Sequence, residues 1–212
     1  MWTDLLLQAG LILLTIFMFL VMHNIPQKFL TKLRYRNRAD FQAKRHFVLG
    51  AQLLAQARSS NSRSSAISLA KQAESEANLA ISLDSKDAAT HILKALALDL
   101  QGFKSSALES FDTALRPPAA KSLSDAERGD ALLKRAELKI SMSRRGNRDD
   151  SVIEDLTAAV ELSPDNAKAF CLLGECYAAK KMRDEAKAAY EQAIRIQPGS
   201  DKARAALDRL GS

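Results

Sequence analysis

AFCLLGECYAAKKMRDEAKAAYEQAIRIQP, residues 169–198, reads as two helices folded back on each other. Phe170, Leu173, Gly174 and Tyr177 recur at three- and four-residue spacing, which puts them on one face of a first helix. Ala186, Tyr190 and Ala193 do the same on a second. The charged run from Lys180 to Asp184 separates the two, and Pro198 followed by Gly199 ends the second. Small side chains at Gly174, Ala186 and Ala193 permit close approach, while Phe170, Tyr177 and Tyr190 fill the space left between the helices.

The same pattern recurs upstream. Alanines at the helix-packing position fall at 80, 114, 159 and 193, in steps of 34, 45 and 34 residues. The long step exceeds the others by 11, accounted for by extra residues in the link after Pro118 and in the loop around Gly146, so the helices keep their lengths. Residues 129–165 carry Leu132 and Ala136, then Val152, Leu156, Ala159 and Pro164. A charged and polar link, Lys121 to Arg128, precedes them. Residues 88–121 carry Ala95 and Leu98, Gly102 at the turn, then Ala107, Phe111 and Ala114, stopped by Pro117 and Pro118. Residues 43–86 are a degenerate copy: Leu49, Gly50 and Leu53 serve a first helix, the polar run Ser59–Ser65 makes a long loop, and Ala73, Ala77 and Ala80 mark the partner helix. The loop serines beside Arg58 and Arg63 leave phosphorylation open, with a flexible connector as the simpler reading.

These positions resemble the tetratricopeptide repeat, a unit of about 34 residues. Phe170, Leu173, Gly174, Tyr177, Ala186, Tyr190, Ala193 and Pro198 all match its signature. The resemblance implies an all-α solenoid of about four hairpins, with repeats at 43–86, 88–121, 129–165 and 167–200. Residues 201–212 supply a capping helix, with Ala203, Ala206, Leu207 and Leu210 covering the exposed edge of the last hairpin.

Ahead of the repeats, Leu5 to Met22 is 18 residues without a charge. At about 1.5 Å per residue it spans about 27 Å, close to the hydrocarbon thickness of a bilayer. The start lacks the basic residues of a cleaved signal peptide, Met22–Ile25 offers no small-residue cleavage site, and a core helix would be amphipathic. A retained transmembrane helix at 5–22 is therefore expected, with residues 1–4 across the membrane. Lys28, Lys32, Arg34, Arg36 and Arg38 crowd the segment 23–42 just after it, which puts the repeats in the cytosol. Trp2 suits a membrane interface. The segment also interleaves Phe29, Leu30, Leu33 and Tyr35 with its cations, as either a lipid-surface helix or a solvated connector would. An N-terminal anchor, a basic flank and cytosolic repeats are similar in plan to import receptors of the mitochondrial or plastid outer membrane, and the plan also serves at the endoplasmic reticulum.

Charge is unevenly spread. Residues 1–65 hold nine Lys or Arg against two Asp, a net of +7, which leaves 22 basic and 23 acidic side chains, a net of −1, in the rest. A neutral repeat body argues against a nucleic-acid face. Cys171 and Cys176, five apart on one helix, point about 140° from each other and read as small buried apolar residues in a reducing compartment. His23, His46 and His91 are scattered, so no metal or cofactor is expected. No nucleophile–base set or phosphate loop is visible, so the reading is non-enzymatic.

The resemblance implies that the concave face, made by the first helix of each pair, binds a peptide or helical segment of a partner protein. Its best-known version clamps an acidic C-terminal tail with Lys, Asn and Arg. The corresponding positions here hold Phe47, Ala51, Leu93, Asp130 and Lys134, and only Lys134 keeps the charge. The expected groove is instead apolar, with Ile92, Leu93, Leu96, Leu133, Cys171 and Leu172 on the inner face and Lys134, Glu137, Lys168 and Glu175 among them. Leu93, Leu133 and Leu172 are expected to touch the partner. The expected fold is an all-α repeat solenoid behind an N-terminal transmembrane helix, and the expected function is that of a membrane-anchored scaffold or receptor; a soluble adaptor or co-chaperone of the same repeat type is the alternative, and oligomeric state is left open.

Overall fold

In a computed structural model, Trp2, Gln8 and residues 25–142 and 149–211 are described, residues 25–38 as backbone only. Nine α-helices follow in order and no strand occurs among the described residues. They are α1 (Ile25–Ser59), α2 (Arg63–Leu83), α3 (Ala88–Gln101), α4 (Lys104–Leu115), α5 (Asp125–Met142), α6 (Asp150–Leu162), α7 (Ala167–Ala179), α8 (Arg183–Ile196) and α9 (Asp201–Gly211). Helices α1 and α2, α3 and α4, α5 and α6, and α7 and α8 form antiparallel hairpins, each packed on the next, and α9 lies over α7 and α8.

The four alanines spaced by sequence fall where two helices cross: Ala80, Ala114 and Ala193 are fully buried and Ala159 is 1% exposed. A methyl group is all the crossing admits. Gly174 shows the same constraint, because a Cβ built there would meet Tyr190 Cε1 at 2.7 Å. The far edge is closed by α9, whose Ala203 and Ala206 are buried against Ala186, Tyr190 and Ala193. The opposite edge has no hairpin ahead of it among the described residues. There Leu49, at the position that buries Leu173 in the last hairpin, is 42% exposed, and Phe41 and Val48 are exposed with it.

Three connections take a form that the sequence left open or read differently. The first is the segment 23–42: the backbone from Ile25 to Ser59 is one helix of 35 residues, about 52 Å long. Its proline, Pro26, stands in the first turn, where it is tolerated, and nothing in residues 27–49 breaks the helix. The second is the expected long loop Ser59–Ser65, which shrinks to Ser60–Ser62 because α2 already begins at Arg63. The third is the link Lys121–Arg128. Ala119–Ser122 form a 3-10 turn with Ala119 and Ala120 buried, and the Ser122 hydroxyl accepts the first amide of α3, Ala88 N–H, at 2.9 Å. The added residues thus satisfy an orphan amide one repeat away. Helix α5 then starts at Asp125 through a capping box in which the Ser124 amide and hydroxyl donate to Glu127 at 2.8 and 2.7 Å.

Gly102 ends α3 at φ 91°, and the equivalent residue after α7, Lys181, takes φ 65°. Glycine is at ease there and lysine is strained. Lys181→Gly is expected to stabilise the chain by about 1 kcal/mol, read as a higher midpoint in thermal unfolding; an unchanged or lower midpoint would refute the strain.

Candidate functional site: the concave face

The first helices of the hairpins, α1, α3, α5 and α7, line up to give two shallow grooves. The N-terminal groove, of about 420 Å³, is floored by Phe47, Ala51 and Leu54 of α1 and by Ile92, Leu93 and Leu96 of α3; Arg58, Glu127, Asp130 and Lys134 border it. The C-terminal groove, of about 450 Å³, is bordered by Glu137, Lys168, Cys171 and Leu172, with Lys202 of α9 at its edge. Both fall in the size range of ligand clefts.

The expected site residues divide into three groups. Leu93 and Leu133, each 4% exposed, and Cys171, 7% exposed, belong to the core. Leu93 packs with Leu54, Ala73, Ala77 and Ala97, and Leu133 with Val152, Leu156 and Leu173. A carboxylate at either leucine would therefore break the solenoid before it reported on a partner. Ile92, Leu96 and Leu172 are half-buried and present apolar surface to the grooves. The charged group forms ion pairs. Glu137 takes Lys134 at 2.9 Å and Lys168 at 2.6 Å, and Glu175 takes Lys202 at 2.7 Å. Burial alone would raise the pKa of Glu137, but the two ammonium groups outweigh it and hold the carboxyl below its ordinary value. These pairs tie α5 to α7 and α7 to α9, and the first of them divides the two grooves.

The positions where an acidic-tail clamp would stand, Phe47, Ala51, Leu93, Asp130 and Lys134, all line the N-terminal groove. The sequence names these positions but not Glu127, which lines the same groove beside Asp130. The signal was the Ser124–Glu127 spacing of a capping box, which extends α5 one turn beyond the expected start at 129.

Cys171 and Cys176 are free thiols. Burial pushes the Cys176 thiol up to about 12, with Glu175 adding to the shift, so it stays protonated at neutral pH. Native protein at pH 8 is expected to leave Cys176 unmodified by iodoacetamide, with modification appearing only on unfolding; rapid native labelling would contradict its burial. His46 meets Glu76 at 2.6 Å and His91 meets the Ser85 carbonyl at 3.0 Å, both across helix ends or pairs. No group of three or more potential metal ligands occurs among the described residues. The basic residues Lys28, Lys32, Arg34, Arg36 and Arg38 lie on the backbone of α1. Leu5–Met22 lies outside the described residues apart from Gln8, and no described helix is long and apolar enough to cross a membrane.

Comparison with known proteins agrees with this geometry. No curated protein sequence matches the chain. Among solved structures, pilF of Pseudomonas aeruginosa is 18% identical with a TM-score of 0.62, the match covering 81% of this chain and 68% of that one. MamA 41-end from Desulfovibrio magneticus RS-1 is 17% identical with a TM-score of 0.61, covering 80% of this chain and 84% of that one. The first TPR of Spaghetti (RPAP3) bound to HSP90 peptide SRMEEVD is 20% identical with a TM-score of 0.50, covering 60% of this chain and 93% of that one. At such identities the likeness is one of fold. Residues 167–200 match the family model of the tetratricopeptide repeat, and the described residues fold as an all-α helical solenoid of that repeat's type.

Proposed function

We propose that this chain is a non-catalytic interaction module that holds a segment of a partner protein in its concave face. The observation that carries the reading is the N-terminal groove, an open apolar floor of Phe47, Ala51, Ile92 and Leu96 bordered by charged side chains. The fold supports it, since stacked helical hairpins create extended binding surfaces. Ala51→Trp fills the groove from a half-buried position without adding a buried charge. Partner recovery with tagged full-length chain should fall by about tenfold or more with this variant while thermal stability is kept. Undiminished recovery would reject the groove.

The chain is further proposed to act at a membrane, with Leu5–Met22 as anchor, Lys28 to Arg38 as its cytosolic flank and the repeats facing the cytosol. The reading rests on the uncharged 18-residue run and the cations after it. Candidate membranes are the endoplasmic reticulum and the mitochondrial or plastid outer membrane. Retention of the chain in carbonate-washed membranes is the expected outcome; release into the supernatant would remove the anchor and leave a soluble adaptor.

A further inference from the structure

The N-terminal groove carries a charge layout that its apolar floor does not require. Glu127 and Asp130 stand three residues apart on α5, hence on one side of the helix, and both border the groove. Hydrogen bonds from the Ser124 amide and hydroxyl hold the Glu127 carboxyl below its ordinary pKa, so it is ionised at neutral pH. Asp130 accepts one hydrogen bond from the Asn166 side-chain Nδ2 at 3.1 Å. Neither carboxylate has a cationic partner among the described residues, and of the groove's two cations Lys134 is paired with Glu137, which Lys168 shares. The capping box accounts for Glu127. It does not account for Asp130, which lies past the first turn of α5, where the helix dipole no longer favours an acid.

We infer that the groove selects an apolar partner segment carrying a lysine or arginine that meets Glu127 and Asp130, and that it rejects acidic tails. The inference rests on the interaction role proposed above and names the chemistry of its ligand. Charge sets the direction in which the segment lies. The two carboxylates border the α5 side of the groove, while Arg58, exposed and without an ion-pair partner among the described residues, stands in the last turn of α1. Along α1 the floor from Phe47 to Arg58 measures about 16 Å, room for about five residues of extended chain or about three turns of helix. A cation placed against the carboxylates gains attraction from both, whereas a tail of several acids meets two like charges on α5, with Arg58 on α1 and Lys134 shared with Glu137 as the cations of the rim.

The test uses full-length chain and a displayed library of random dodecapeptides. Selected peptides are expected to place Lys or Arg within four residues of two large apolar side chains, and the best of them is synthesised for fluorescence anisotropy. Its affinity should fall by about tenfold in E127Q/D130N, in which glutamine keeps the capping geometry, and vanish in Ala51→Trp. Synthetic SRMEEVD should not bind the unaltered chain. Helical content and unfolding midpoint are checked for each variant. Selected peptides that lack cations, or an affinity unchanged in E127Q/D130N but lost in Ala51→Trp, would overturn the inference and leave the groove reading standing. Self-association that Ala51→Trp abolishes would overturn it as well, by making a second copy the occupant. If no selected peptide depends on Ala51, the interaction role itself fails.

Discussion

Asp155→Ala is expected to cost the folded chain about 3–5 kcal/mol, the largest single-residue loss the structure supports outside the apolar core. Asp155 is 5% exposed and receives Arg135 Nη2 at 2.5 Å, Arg135 Nε at 2.9 Å and Lys139 Nζ at 2.8 Å. Arg135 reaches on to Asp112 at 2.8 Å. The four charges cancel, and they join α4, α5 and α6 where the spacing between repeats is longest. Removing Asp155 leaves Lys139 without its acid and Arg135 with half its partners, in a site where desolvation is no longer offset. A contrast is available on the surface. Lys187 and Glu191 are 64% and 51% exposed and 3.9 Å apart, so Glu191→Ala should change stability by about 1 kcal/mol at most. Urea unfolding of both variants checks the ranking, and equal small effects would show that the Asp155 network is solvated. Since the loss comes from unpaired charge, Asp155→Leu combined with Arg135→Met and Lys139→Met should recover part of it.

The second large effect is at Gly174. A β-branched side chain there drives a Cβ to 2.7 Å and 2.8 Å from Tyr190 Cε1 and Cδ1. Tyr190 is 3% exposed and held between Ala186, Ala193 and Ala203, so its ring has no space to retreat. Gly174→Val is therefore expected to lose about 3 kcal/mol and to loosen α9, which rests on the same cluster. The loss of α9 protection in hydrogen exchange separates this from a general destabilisation. A variant as stable as the parent would mean that α7 and α8 can part without consequence.

How far the sequence speaks depends on whether an interaction is local. Alanine spacing exposes the helix crossings because a crossing constrains volume at fixed register, and Ala80, Ala114, Ala159 and Ala193 stand at equivalent points. The turn after α3 is legible for the same reason, since Gly102 alone can end it without strain. The pairings that stitch one hairpin to the next are not. Arg135 lies 20 residues from Asp155 and 23 from Asp112, separations to which no helical period points. The grooves show the same limit. Periodicity brings Ile92, Leu93, Leu96 and Leu133 to the inner side of their helices, but only stacking decides that Leu93 and Leu133 turn into the core while Ile92 and Leu96 keep a face to solvent. Glu127 was readable in principle, because Ser124 three residues before it is the mark of a helix start; the surrounding charges made the stretch look like a link.

The proposed function stands or falls on whether the concave face, not the convex one, holds the partner. Site-specific photo-crosslinking in cells tests it, with a benzophenone amino acid placed at Leu96 on the groove floor or at Leu79 on the second helix of its hairpin, which is 45% exposed. A discrete adduct is expected from position 96, removed by Ala51→Trp, and none from position 79. Adducts of equal yield from both, or from position 79 alone, would contradict it.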